Sequence, residues 1–126
     1  MNSRVLVIED HPMDRELVVE LVEQEGYQVL EADSAEAGLG LAFAERPALI
    51  LMDLQLPRMS GYEAIRRLRA DPTTAHIPVL ALTASVVGAG IRKACDAGAD
   101  VCLVKPLDTA NFRDTLHKLL SPPPAE

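Results

Sequence analysis

Ala48-Leu49-Ile50-Leu51-Met52-Asp53-Leu54-Gln55-Leu56-Pro57 is the stretch that decides how this chain folds. Ala48 to Met52 are continuously apolar and lie between Pro47 and Pro57. So short an apolar run, bounded by turn residues, predicts a strand buried on both faces. Such strands belong to parallel sheets covered by helices on either side. Asp53 then places an expensive charge at the carboxyl end of the strand. In open α/β sheets that rim is where ligands bind. Capping of the next loop or helix is the plainer reading of Asp53, and the rest of the chain has to discriminate.

Outward from this stretch the pattern repeats. Arg4 to Ile8 reads as a first strand, and Gln28 to Ala32 as a more polar one nearer an edge. Ile77 to Leu82 is a fourth, ending at Thr83, and Val101 to Val104 a fifth, ending at Lys105-Pro106. Helical spacing fills the intervals. Pro12 to Glu25 aligns Met13, Leu17, Val18, Leu21 and Val22, with Pro12 suited to a first turn and Gly26 to a stop. Ser34 caps a helix over Ala35 to Ala44 that turns Ala37, Leu41 and Ala44 inward. Tyr62 to Arg69 points Ile65 and Leu68 inward, and Asp71-Pro72-Thr73-Thr74 breaks it. Val86 to Ala97 is the weakest helix, because Gly88 and Gly90 each cost about 1 kcal/mol relative to Ala. Asp108 or Thr109 caps a last helix with Phe112, Leu116, Leu119 and Leu120 inward, and Pro122 to Pro124 end it. The alternation predicts one doubly wound, five-stranded parallel α/β domain over residues 1–121, with a Pro-rich tail at 122–126.

Composition narrows the classes. The 126 residues fit a single domain that buries about two-thirds of its unfolded surface. Aromatics are only 3 %, so the core must be Leu, Val, Ile and Ala. A net charge of −7 argues against nucleic acid or an anionic membrane as the main partner. No apolar run approaches the roughly 20 residues of a membrane span, so no membrane insertion is expected. The N-terminus enters a strand directly, without a secretory leader. Cys95 and Cys102 read as reduced packing cysteines of a cytoplasmic protein.

In a parallel sheet the strand ends share one rim, which here collects Glu9, Asp10, Asp53, Thr83 and Lys105. Two carboxylates at ~4 Å repel by about 4 kcal/mol at an effective dielectric of 20. The cluster therefore calls for a cation or a raised pKa. Carboxylates with water suit Mg²⁺. Lys105 balances one charge from the side. Acids, a hydroxyl and a lysine together describe phosphoryl chemistry. Asp53 is the candidate nucleophile forming an acyl phosphate, with Mg²⁺ and Lys105 neutralising the phosphoryl oxygens and Thr83 donating to one of them.

These residues resemble a response-regulator receiver domain of two-component signalling. The likeness spans Val5 to Leu120. It is carried by Glu9-Asp10, by Asp53 to Pro57 with Ser60-Gly61-Tyr62-Glu63, by Pro78 to Ala84, by Ala97-Gly98-Ala99-Asp100 and by Lys105-Pro106. The resemblance implies a flavodoxin-like sheet of order 2-1-3-4-5 and a phosphoacceptor role for Asp53. It implies Mg²⁺ ligands in Asp10, Asp53 and the backbone carbonyl of Gln55, with Glu9 acting through a bound water. Thr83 and Lys105 would hold the phosphoryl group, and Lys105–Pro106 would be a cis peptide. A histidine kinase or histidine phosphotransfer protein would be the donor, docking near Met13, Asp14, Leu17 and Pro106. An output protein would read the face of the fourth and fifth helices and the fifth strand. The protein would be a monomer or weak dimer. It would be no enzyme beyond accepting, and slowly losing, its own phosphoryl group.

One departure matters. The family usually has Tyr or Phe three residues before the lysine, and Cys102 stands there. Switching is then expected to run through Thr83, Ala84 and the segment to Gly90. Other residues read plainly: His11 as a loop contact, His76 and His117 as solvent-facing, and Arg66, Arg67 and Arg69 as a solvated helix face. Among competing functions, a flavodoxin-like electron carrier would need a phosphate loop where Glu9-Asp10 stands. An aspartyl phosphatase would want an acid at Gln55. A receiver cut from a longer regulator or hybrid kinase is the third alternative.

Overall fold

A computed structural model of the chain describes residues 4–84 and 88–120, apart from the side chains of residues 88–91. The expected helix start at Val86, the tail at 122–126 and residues 1–3 lie outside the described residues. In chain order the elements are β1 (Arg4–Ile8), α1 (Pro12–Gln24), β2 (Gln28–Ala32), α2 (Ala35–Glu45), β3 (Leu49–Asp53), α3 (Gly61–Ala70), β4 (Val79–Thr83), α4 (Gly88–Ala97), β5 (Val101–Val104) and α5 (Thr109–Leu120). The strands form one parallel sheet of order β2-β1-β3-β4-β5, the doubly wound order expected.

Alternation along the strands builds a core on each face. Leu6, Ile8, Ile50, Met52, Val79 and Ala81 face one cluster with Leu39, Ile65, Leu68 and Ala94 of α2, α3 and α4. Val5, Val7, Leu49, Leu51, Leu80 and Leu82 face the other, with Val18, Val22, Phe112 and Leu116 of α1 and α5. All of β3 and β4 is buried because each lies between two strands and two helix layers. β2 and β5 are the edges. The four residues of β5 are therefore only half-buried, the expected packing residue Cys102 among them. Cys95 is exposed and is not a packing residue.

Two helix faces differ from expectation. In α2 the buried residues are Ala35, Gly38, Leu39 and Ala42; of the expected Ala37, Leu41 and Ala44 only Leu41 packs, part-buried, against the core. This helix is apolar nearly all round, so periodicity could not choose its inner side. Contact with β1 chooses it: a Cβ on Gly38 would lie 2.3 Å from Ile8 Cδ1. In α1, Val18 and Val22 are buried, but Met13 is 74 % and Leu17 52 % exposed. Met13 and Leu17, four residues apart, share a stripe turned about 100° or more round the helix from that of Val18 and Val22, which face the core.

Arg69 is not part of a solvated stripe. Its guanidinium donates to the carbonyls of Gly98 (2.9 Å), Ala75 (2.9 Å) and Ile77 (2.6 Å), and to Asp100 Oδ2 at 2.7 Å. Asp100 Oδ2 also accepts from the Val79 N–H at 2.8 Å. The cluster ties α3, the start of β4 and the α4–β5 turn together at the end of the sheet opposite Asp53. His117 is exposed as expected but lies 2.7 Å from Glu25 Oε1, linking α5 to the end of α1.

Candidate functional site

Register assembles the site. Ile8 pairs with Met52, so Glu9 and Asp53 follow side by side as β1 and β3 end. Asp53 pairs with Leu82, which brings Thr83 next to the same rim. Thr83 pairs with Val104, and its carbonyl accepts the Lys105 N–H at 2.7 Å, carrying the ladder one step past β5. Four strand ends thus deliver an acidic pair, an acid, a hydroxyl and an ammonium to one place.

Carboxylate oxygens of Glu9, Asp10 and Asp53 lie within 4.8 Å of one another. Glu9 is 1 % exposed, Asp53 5 % and Thr83 1 %, whereas Asp10 is exposed. Lys105 Nζ lies 2.6 Å from Glu9 Oε1, 3.4 Å from Asp14 Oδ2 and 3.6 Å from Asp53 Oδ2. Glu9 Oε2 accepts from the His11 N–H at 3.2 Å, and Asp53 Oδ1 from the Gln55 N–H at 3.0 Å. The backbone at Glu9 is also held, since Arg15 Nη1 donates to its carbonyl at 3.0 Å.

The crowding raises two pKa values, those of Glu9 and Lys105. Burial, and then the hydrogen-bonded Asp53 carboxylate, push Glu9 above the usual carboxylate range despite the opposing hydrogen bond from Lys105. Burial works against the charge on Lys105, but the hydrogen bond to Glu9 and the charges of Asp53, Glu9 and Asp14 outweigh it and raise its pKa. Lysine is therefore charged at neutral pH. Lys105 balances one of three clustered carboxylates, and negative charge remains in a buried setting. Oxygen donors with a residual negative charge fit a hard divalent cation that keeps several waters. Glu9, with one oxygen on Lys105 and the other on His11, is the least available for direct ligation; Asp10 and Asp53 are the better placed.

The loop after β3 is fixed by close packing. Ser60 caps α3, its Oγ accepting from the Glu63 N–H at 3.2 Å. Gly61 N–H then reaches the Leu54 carbonyl at 3.2 Å. A Cβ on Gly61 would lie 2.4 Å from the Asp53 carbonyl oxygen and 2.8 Å from Leu54 Cα. Only glycine lets α3 start so close to the acid. Lys105–Pro106 is cis.

Of the expected docking residues, Asp14, Leu17 and Pro106 line a cavity of ≈ 140 Å³ with Val18, Lys105 and Leu107, and Met13 stands exposed on α1 beside them. Cys102 packs against the cluster that holds Ala94 and Ala97 of α4. Burial, then the nearby Cys95, push its thiol pKa up, so it stays protonated. Ala84 is exposed, and residues 85–87 of the expected switch segment lie outside the described residues. Two features escaped the sequence: the contact of Asp14 with Lys105, and the approach of Gly61 to Asp53. Asp14, four residues beyond Asp10 on a helix, carried a faint signal for the first. The second depends on how α3 crosses the end of β3.

Comparisons agree with this geometry. The family model described as the response regulator receiver domain matches residues 5–117. The polar-differentiation response regulator DivK of Brucella ovis is 33 % identical over 120 residues, covering 95 % of this chain and 98 % of that protein. The receiver domain of the sensor histidine kinase PA1611 from Pseudomonas aeruginosa, solved with a magnesium ion coordinated in its active-site cleft, superposes with a TM-score of 0.89. It is 27 % identical and covers 97 % of this chain and 100 % of that one. The Vibrio cholerae chemotaxis protein CheY4 superposes with a TM-score of 0.88 at 27 % identity, over 95 % of this chain and 100 % of its own.

Proposed function

This chain belongs to the response regulator receiver domain family, and from that premise we propose that it is a switch phosphorylated on Asp53. The donor is a histidine kinase or a histidine phosphotransfer protein. One observation carries the reading. Asp53 is a buried carboxylate with Oδ1 held by the Gln55 N–H and Oδ2 3.6 Å from a charged lysine.

In the step itself, an Asp53 oxygen bonds the phosphorus of a phosphohistidine as the P–N bond breaks. The electron pair returns to the imidazole, which takes up a proton, and an acyl phosphate remains on Asp53. Lys105 shifts its ammonium toward the phosphoryl oxygens, and the Thr83 hydroxyl donates to one of them. Asp10, Asp53 and the Gln55 carbonyl would hold Mg²⁺, which supplies charge neutralisation of the phosphoryl oxygens when bound. Glu9 keeps Lys105 in the site and would act on the ion through a water. The cavity between α1 and the β5–α5 turn, with Met13 and Leu17 exposed beside it, suits an apolar side chain of the donor.

The protein has no turnover beyond taking up, and slowly losing, this group. Its signal is a change in what it binds, in the cytoplasm. Among the described residues no helix is long and apolar enough to cross a membrane. The switch is carried by Thr83, Ala84 and the segment leading into α4, because Cys102 provides no aromatic ring to rotate. Incubation with phosphoramidate and Mg²⁺ should add one phosphoryl mass to the intact protein, and Asp53→Asn should abolish it. Undiminished labelling of that variant would remove the central claim.

A further inference from the structure

We propose that Asp14 is a positioning residue that restrains Lys105, and so sets how readily Asp53 takes up a phosphoryl group. The inference rests on the phosphoacceptor reading above. An ammonium has three donors. Around Lys105 stand three carboxylates, Glu9 Oε1 at 2.6 Å, Asp14 Oδ2 at 3.4 Å and Asp53 Oδ2 at 3.6 Å. The lysine is thus shared among partners before any phosphoryl group arrives, and the acceptor is the most distant of them.

Glu9 and Asp14 differ in what they do there. Glu9 is buried, adjoins Asp53 in the sheet and has its second oxygen tied to the His11 N–H. It stays beside the ammonium wherever the phosphoryl group forms. Asp14 comes from the first turn of α1, its side chain is 46 % exposed, and it stands outside the cluster of Glu9, Asp10 and Asp53. Its other oxygen lies 4.0 Å from His11 Nδ1. Asp14 also lines the cavity that opens beside Lys105. Its carboxylate therefore acts twice in the same direction. It holds part of the Lys105 charge away from Asp53, and it adds negative charge at the mouth of a site that must receive an anionic donor. The contact Asp14 makes in the site is with the Lys105 ammonium, and it acts through that lysine.

The test is the rate of Asp53 phosphorylation by phosphoramidate with saturating Mg²⁺, followed by intact mass. An Asp53 oxygen bonds phosphorus as the P–N bond breaks, and ammonia leaves with a proton from solvent. No protein donor takes part, so docking at α1 does not enter. Asp14→Asn is expected to react about two- to fivefold faster than the parent, the size of effect that a part-exposed ion pair supports. Asp14→Ser should follow it, and Asp14→Glu, which keeps the charge, should return to the parent rate. Added salt should shrink the difference between Asp14→Asn and the parent, since screening weakens the contact. If the parent is labelled and both neutral variants react no faster, or if the difference ignores salt, Asp14 has no such role and the phosphoacceptor reading still stands. A parent that stays unlabelled overturns both.

Discussion

Gly61 shows how much of this site is decided by single atoms. It follows the loop that returns from Asp53, and its α-carbon faces the Asp53 carbonyl so closely that a methyl group would stand 2.4 Å from that oxygen. The neighbour is backbone, so it cannot swing aside as a side chain would. Gly61→Ala must push α3 away from β3 or displace Asp53 itself. The expected cost is about 1–3 kcal/mol, the range for overpacking, read as a lower urea midpoint. Phosphoramidate labelling of Asp53 should slow in the same variant. A Gly61→Ala protein with unchanged midpoint and rate would show that the loop absorbs the methyl freely. By contrast Gly26, with φ +92°, ends α1 for a conformational reason and could be recognised from sequence alone. Both are glycines at a helix end, Gly61 opening α3 and Gly26 following α1. Only one needed its three-dimensional neighbours to be understood.

At the level of elements, a buried strand set between two others is the easiest object to recognise, and a helix packed on one side is harder. β3 and β4 were readable because their apolar runs have no polar interruption. The inner face of α2 was not, because Ala, Gly and Leu surround the helix and Gly38 meets Ile8 only after β1 is in place. Arg69 was misread for a related reason. On a helix it continues a basic run with Arg66 and Arg67, yet its partners are carbonyls and a carboxylate from the turns before β4 and β5. Those partners are up to 31 residues away in sequence. Truncation to Arg69→Ala should leave several of them without a donor and cost about 2–4 kcal/mol, since a hydrogen bond to a charged group is worth roughly 1.5–3 kcal/mol net and two of the four lie in solvent. Arg69→Lys should recover little, because an ammonium cannot reproduce the planar fork. Thermal unfolding of the two variants would decide it, and a Lys variant as stable as the parent would count against the fork geometry.

At the scale of the whole molecule, crowding buried carboxylates at one rim makes stability depend on pH. Folding raises the pKa of Glu9 above its ordinary 4.5, so the folded state binds more protons in the window just above that value. Stability from this group therefore falls as pH rises through the window. Lys105 has the same sign in a higher window: its pKa is raised above 10.5, so its favourable contribution is complete below that value and lost as pH rises through the folded pKa. A divalent cation bound at the proposed site would compete with the Glu9 proton. The increase in Tm produced by Mg²⁺ should consequently be larger at pH 7.5 than at pH 5, and Glu9→Gln should flatten that dependence. Equal increases at both pH values in the parent would refute the linkage. Sequence by itself determined the sheet, the strand ends and the residue types gathered there, because hydrophobic period and chain punctuation are local properties. It also made Asp53, Asp10, Thr83 and Lys105 the candidates, since in a parallel sheet all carboxyl ends must share a rim. Only the tertiary structure decided that Glu9 is the partner of Lys105, that Asp14 reaches the same ammonium from α1, and that Met13 and Leu17 stay in solvent. Those are distances between elements, set by how helices cross a twisted sheet, and no period along the chain encodes them.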